Sequence, residues 1–252
     1  MTRFRLLLTG ENNAARNMAI DEAIMRNYAL FGKPTVRFYS WKPPAVSIGY
    51  FQQIEEEVDL AECKKQGVDV VRRITGGGAV FHEAELTYSF CCTGESGLVE
   101  KNILESYKKI CGSIVLGLGG LGLKAEFAPL NDITVNGRKI SGNAQTRRGG
   151  IVLQHGTILL RVDVDKMFAL LRVPNEKLKG KLIEDVKQRV TSIERETGKE
   201  IGFDETAEAM RCGFEKNFNA ELVEGELAED EVSLAKKIEK EKFLSGEWNY
   251  LR

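Results

Sequence analysis

Three consecutive glycines, Gly76–Gly78, lie directly behind a strand-forming stretch, Val68–Ile74, and directly ahead of two more, Ala79–Phe81 and Leu86–Cys92. Inside a helix or strand each glycine would cost about 1 kcal/mol relative to alanine, so the run marks a break in regular structure. It suits a chain that must turn with φ above zero, or one whose backbone a ligand must approach closely. A plain glycine-rich β-turn is the alternative. Arg72 and Arg73 precede the glycines, and His82, one of two histidines, follows them. Adjacent strand residues face opposite ways, so one arginine is expected to enter a pocket and the other to pair at the surface or on the opposite face. Free N–H groups in the turn would form an anion nest suited to phosphate.

A second segment, Asn131–His155, answers the first. Asn136–Gly137 is a hairpin signal between strands expected at Ile133–Asn136 and Arg138–Gln145, with a third at Ile151–Val162. Strand alternation puts Lys139, Ser141 and Asn143 on one face with little apolar content. Lys139 is then either a solvated hairpin lysine or a cation pointing into a cleft. In a cleft it could neutralise a phosphate or the oxygen at a bond being made or broken. Ser141, Gly142 and Ala144 would leave room for a ligand beside it. Asn131–Asp132 could hold Lys139, help hold a metal ion, or simply turn the chain. His82 and His155 are each either structural or part of the site.

The rest of the chain alternates strand and helix signals. Strands are expected at Arg3–Leu8, Thr35–Trp41 and Ala45–Phe51. Helices are expected from Asn12 or Asn13 to Phe31, and over Val58–Gln66, Leu98–Leu118, Asp163–Leu171, Asp204–Phe218 and Glu229–Leu244. Pro174–Glu200 reads as a polar excursion. Together these give an α+β domain with a mixed sheet and helices packed outside. The glycines of Gly117–Leu123 follow a helix instead of opening one, which argues against a dinucleotide loop. A formal net charge of −1 provides no global field toward nucleic acid or membrane. The short apolar run near the N-terminus is no signal core, and no later run approaches the ~18 residues of a membrane span. Cys63, Cys91, Cys92, Cys111 and Cys212 are odd in number and lack zinc-ligand spacing, as expected of reduced thiols in a cytoplasmic protein.

The run from Arg72 to His82, RRITGGGAVFH, resembles a signature of lipoate–protein ligases and the related octanoyltransferases. Asn131–Asp132 followed by Gly137–Gly142 (GRKISG) resembles their second signature. PTVRFYSWKPPAVSIGYFQ, VPNEKLKGK and the closing GEWNYLR extend the likeness over essentially the whole chain. The resemblance implies the catalytic-domain fold of biotin and lipoate ligases, akin to class II aminoacyl-tRNA synthetases, with residues 1–252 as one catalytic domain. It implies that Arg73, Gly76, Gly77, Gly78, Ala79, Val80, Phe81, Asn131, Asp132 and Lys139 hold ATP or an acyl-adenylate. Asp132 is the candidate for Mg2+, and Lys139 would touch both phosphate and acyl carbonyl. His82, Lys139, Ser141, Gly142, Ala144 and His155 would border the lipoyl tunnel.

Two branches of chemistry follow from the resemblance. A ligase makes lipoyl-AMP from ATP and lipoate. A transferase carries octanoyl on a cysteine, placed in the loop before the GRK strand or in the turn before the HG strand. Here those loops read Glu126–Pro129 and Arg147–Gly150, without a thiol. The expectation is therefore an ATP-dependent, AMP-forming lipoate–protein ligase. Its acceptor would be a lysine on a 2-oxoacid dehydrogenase E2 lipoyl domain or the glycine cleavage H protein. Because no accessory domain follows GEWNYLR, a separate accessory subunit is expected. A transferase using acyl carrier protein or preformed lipoyl-AMP, and a non-catalytic binding module, are the alternatives.

Overall fold

The computed structural model describes residues 2–172 and 179–252. The chain opens with β1 (Thr2–Asn12), α1 (Ala14–Phe31), β2 (Thr35–Trp41), β3 (Ala45–Ile48), α2 (Ile54–Glu57), α3 (Leu60–Gln66) and β4 (Asp69–Arg72). After the glycines come β5 (Val80–His82), β6 (Glu85–Thr93), α4 (Ile103–Gly120), β7 (Ala125–Ala128), β8 (Asp132–Val135), β9 (Arg138–Arg148) and β10 (Ile151–Leu159). The rest comprises α5 (Val164–Leu170), α6 (Lys179–Arg189), α7 (Ile193–Thr197), α8 (Phe203–Phe218), β11 (Ala220–Glu224), α9 (Glu229–Ile238), a short π-helix (Glu239–Phe243) and α10 (Gly246–Asn249).

The strands form two sheets. The larger has the order β11-β1-β2-β6-β10-β9-β8-β7, and the smaller β4-β3-β5. Both mix parallel and antiparallel pairs, such as β1 with β2 and β2 with β6. The mixed α+β sheet is as expected. Its division into two was not: the chain leaves the large sheet after Trp41, turns at Pro43–Pro44, and starts a second sheet at Ala45. Expected elements at Pro174 and in VPNEKLKGK fall largely on residues 173–178, outside the described residues.

One face of the large sheet packs on α4 and α8 through Phe38, Tyr88, Phe90, Ile110, Ile114 and Phe214. The other packs on α1 and α9 through Leu7, Tyr39, Cys91, Leu153, Ala19, Ala23 and Ala235. Asn13 caps α1 by accepting from the Arg16 N–H at 2.8 Å. Small residues on α1 let it lie close to the sheet, which brings Met18 to the edge of the gap between the two sheets.

Arg72 locks this gap from behind. It is fully buried, and its guanidinium donates to the carbonyls of Gly49, Tyr50, Gln52, Trp248 and Asn249 at 2.6–3.1 Å. The Trp248 indole N–H returns to the Arg72 carbonyl at 2.8 Å. The closing GEWN segment is thus a staple on the strand that feeds the glycine loop. Of the two expected places for the second arginine, the surface or the opposite face, Arg72 is not at the surface: it is buried, and carbonyl oxygens satisfy it.

The glycine loop presses on the turn after β3. A Cβ built on Gly49 would stand 2.0 Å from the Gly77 carbonyl oxygen, so only glycine fits. Gly49→Ala is expected to lower stability by about 1–3 kcal/mol, the usual cost of overpacking, read as a lower urea midpoint. An unchanged midpoint would mean that the loop does not need this close approach.

Candidate functional site

Between the two sheets opens a narrow cleft of ≈160 Å³. Met18, Tyr39, Trp41, Ala79, Val80 and Ala144 supply apolar walls. Ser47, Thr87, Asn131, Asn143 and Thr157 add polar groups. The two charged lining residues, Arg73 and Lys139, are both cations. The cleft therefore suits an apolar chain carrying an oxygen that is, or becomes, anionic.

Of the residues singled out from the sequence, Arg73, Gly77, Gly78, Ala79, Val80, His82, Asn131, Lys139, Gly142, Ala144 and His155 line this cleft. The two segments do meet. Gly76, Phe81, Asp132 and Ser141 lie outside its lining. Phe81 packs with Val46 and Ile48 in the small sheet's core, and the Lys166 ammonium sits 5.6 Å above its ring. Ser141 is wholly buried within β9.

A bulge in β9 decides this partition. Ile133 pairs with Ser141 but Thr134 pairs with Lys139, leaving Ile140 as the extra residue. The bulge reverses the alternation, so Lys139 shares its face with Gly142, not with Ser141 and Asn143. A Cβ on Gly142 would lie 3.0 Å from the lysine's Cε and Nζ. Gly142→Ala should fold normally yet displace the ammonium, cutting turnover at an unchanged melting temperature. Full turnover would show that the position of Lys139 is not critical. Asn143 contributes to the cleft lining while its Oδ1 accepts from the Tyr88 hydroxyl at 2.7 Å.

Lys139 Nζ meets Asp132 Oδ1 at 2.7 Å at the mouth of the cleft, with the side chains 43% and 33% exposed. Holding Lys139, one of the options read from sequence, is what the Asp132 carboxylate does here. No group of three or more His, Cys, Asp or Glu side chains among the described residues could hold a metal ion.

Arg73 is the organiser. Its Nε donates to Thr75 Oγ1 at 3.1 Å, and Nη1 to the Ser47 carbonyl and Oγ at 2.9 and 3.1 Å. Nη2 donates to the carbonyls of Gly76 and Gly78 at 2.8 and 2.7 Å. All its N–H groups are engaged, so it shapes the loop and offers the cleft charge, not a free donor. Burial lowers its pKa to about 10. Only Gly77 of the three glycines has a positive φ, 98°.

Each histidine joins a hydroxyl to a carboxylate. His82 Nε2 lies 2.8 Å from Ser47 Oγ and Nδ1 lies 2.7 Å from Glu85 Oε1, while Trp41 stacks on the ring at 4.1 Å. His155 Nε2 lies 2.8 Å from Thr75 Oγ1 and Nδ1 lies 3.3 Å from Asp21 Oδ2. Asp21 also accepts from Arg37 Nη1 at 2.7 Å, the Tyr39 hydroxyl at 3.0 Å and Ser89 at 2.9 Å. The sequence reading missed Ser47, Glu85 and Asp21. Their signal was faint: Ser47 stands in an apolar stretch, while Asp21 and Glu85 sit close to other acidic residues, Glu22 and Glu83.

Burial lowers the pKa of His155, outweighing the pull of Asp21. For Asp21, burial acts upward, but the Arg37 charge and the His155 hydrogen bond together hold its carboxyl below the ordinary value. The unfolded chain takes up a proton on the histidine below its ordinary pKa of about 6.5, whereas the folded chain resists until lower pH. Stability from His155 is therefore complete above that pH and falls as pH drops toward the folded pKa. Asp21 adds a further loss only in acid, as its carboxyl is forced to protonate. The urea midpoint should fall between pH 7.5 and 5.5 in the wild type and fall less in His155→Gln. Equal slopes would contradict this.

The cysteines stand apart from the cleft. Cys63, Cys91, Cys92 and Cys111 are buried, Cys212 is exposed, and none lines the site. Burial raises the Cys111 and Cys92 thiols to about 12 and the Cys63 thiol to about 11, which leaves them inert at neutral pH.

The cleft thus combines apolar walls with two cations, Arg73 and Lys139. The chain belongs to the lipoyl protein ligase A/B catalytic domain family, whose sequence model matches residues 13–215. It is 38% identical to octanoyltransferase LipM of Anoxybacillus flavithermus, over 99% of this chain and 98% of that one. It is 37% identical to octanoyltransferase LipM of Clostridioides difficile, over 100% of both. Among solved structures it resembles a bi-partite lipoate protein ligase from Thermoplasma acidophilum, with a TM-score of 0.92, 34% identity and coverage of 100% and 98%.

These relatives overturn the expected ATP-dependent, AMP-forming ligase and its ATP, Mg2+ and lipoate. Full-length relatives at 36–38% identity are octanoyltransferases, and a transferase moves an acyl group that is already activated. The error lay in reading two loops without a thiol as a sign of ATP chemistry. A missing nucleophile says nothing about how the acyl group was activated. No helix among the described residues is long and apolar enough to cross a membrane.

Proposed function

We propose that this chain is an acyltransferase that moves an octanoyl group from a thioester donor, such as acylated carrier protein, to a lysine on a lipoyl domain. The full-length similarity to octanoyltransferases carries this reading. The cleft supports it: apolar side chains flank the acyl chain, and Lys139 meets the carbonyl oxygen as it becomes anionic. The Thermoplasma acidophilum system that the chain resembles includes an E2 lipoyl domain, which supports that class of acceptor. That ligase is bi-partite, which supports a second polypeptide acting beside this one. We read the chain as a single catalytic domain, since the family match and the structural likeness both run across the two sheets.

Lys139 borders the carbonyl end in this reading, and Met18, Tyr39 and Ala144 flank the chain. Competition between octanoyl and shorter acyl thioesters for transfer to a purified lipoyl domain tests the assignment. Octanoyl should be preferred, and Met18→Trp, which fills the wall, should shift the preference to shorter chains. Equal use of all lengths in both proteins would show that this cleft does not hold the chain.

A further inference from the structure

The cleft contains a hydroxyl placed to act as a nucleophile, Ser47, hydrogen-bonded to a histidine. Ser47 Oγ, His82 Nε2, His82 Nδ1 and Glu85 Oε1 form a continuous line with links of 2.8 and 2.7 Å. All three side chains are at least nine-tenths buried, and Ser47 and His82 line the cleft.

The hydrogen bonds fix the protons. A carboxylate only accepts, so His82 Nδ1 carries the hydrogen and Nε2 is bare. Arg73 Nη1 donates to Ser47 Oγ at 3.1 Å, leaving the serine's own hydrogen to point at His82 Nε2. This is the tautomer and direction that a serine nucleophile requires. The Glu85 carboxylate is pinned by the Thr87 hydroxyl at 2.5 Å, which in turn accepts from the Trp41 indole at 2.7 Å. The other carboxylate oxygen, Oε2, is buried with no hydrogen-bond partner among the described residues.

The second array, Thr75–His155–Asp21, lacks these properties. Thr75 is not among the cleft-lining residues, and Asp21 is shared with Arg37, Tyr39 and Ser89. It is part of the core.

We propose that Ser47 carries the acyl group as an ester between donor and acceptor, with His82 as the proton carrier and Glu85 as its orienting carboxylate. This rests on the transferase reading above. In the first half-reaction Ser47 Oγ attacks the thioester carbonyl and its proton passes to His82 Nε2. The C–S bond breaks, and the departing thiolate takes that proton. In the second, the acceptor lysine, as the free amine, attacks the ester carbonyl. His82 takes a proton from the nitrogen, the C–O bond breaks, and His82 returns the proton to Ser47 Oγ. An amide forms and no oxidant, reductant or nucleotide is consumed. Arg73, already bonded to Ser47 Oγ, stabilises the alkoxide at both stages.

The test is octanoyl transfer from octanoyl–acyl carrier protein to a lipoyl domain, alongside intact-mass and peptide mapping of the enzyme incubated with the donor alone. Wild type should gain one octanoyl group on the peptide containing Ser47. Ser47→Ala should lose this adduct, and transfer should fall on the order of 10⁴-fold. Ser47→Cys should still transfer, through an adduct cleaved by neutral hydroxylamine, a thioester property the serine ester lacks. Folding of both variants is checked by melting temperature. Wild-type transfer with Ser47→Ala equally active, or with Ser47→Cys inactive and free of adduct, overturns the serine assignment alone. Failure of wild type to use the thioester overturns the transferase reading and this proposal with it.

Discussion

Lys139→Ala should lower turnover by about 10²–10³-fold, the usual effect of removing one donor to a developing oxyanion, without changing the melting temperature. The two halves of that expectation rest on different observations. Turnover depends on an ammonium that the β9 bulge aims into a cleft where Arg73, the other charged lining residue among the described residues, has all its N–H groups engaged. Stability does not, because the pair with Asp132 is 43% and 33% exposed and pairs of that kind contribute about 0–1 kcal/mol. Lys139→Arg should recover little, since the planar guanidinium cannot take the place of a compact ammonium packed against Gly142. Near-normal turnover in Lys139→Ala would remove the lysine from the chemistry.

Arg37→Met should have the opposite character, with the largest effect on stability. Arg37 is wholly buried; it holds Asp21 at 2.7 Å and stacks 3.8 Å from the Tyr39 ring centre. Its removal strands the Asp21 carboxylate in the core, at a cost of about 3–5 kcal/mol. That is a large share of the 5–15 kcal/mol that typically holds a domain together. Urea unfolding measures it. Adding Asp21→Asn to Arg37→Met should restore part of the loss, because the unpaired charge is then gone. A loss below about 1 kcal/mol in the single variant would mean that water or rearrangement satisfies Asp21, and the burial argument would fail.

The sequence made some features plain and hid others for identifiable reasons. Local chemistry was legible: the Asn13 cap, the Asn136–Gly137 hairpin with both φ angles positive, and strand β2 with its expected ends. The convergence of Arg73, the glycines, Lys139 and both histidines was legible from two motifs. Hidden features depended on pairing between distant segments. One extra residue, Ile140, turned Ser141 away from the cleft, and nothing in the local pattern announces a bulge. β7 and β11 are short edge strands of four and five residues, defined by what they pair with more than by their own composition. The place of Arg72 stayed open because its partners are backbone carbonyls, some from the far end of the chain. The branch of chemistry was misread because a missing cysteine was visible, whereas the Ser47–His82–Glu85 line exists only once β3 pairs with β5.

The central claim is that this chain transfers an acyl group already activated elsewhere. The direct measurement is the mass of a purified lipoyl domain after incubation with the enzyme and octanoyl–acyl carrier protein, with no nucleotide present. The domain should gain one octanoyl group on a lysine, and free octanoate with ATP and Mg2+ should not substitute for the thioester. Acylation only from the free acid with ATP would contradict the account.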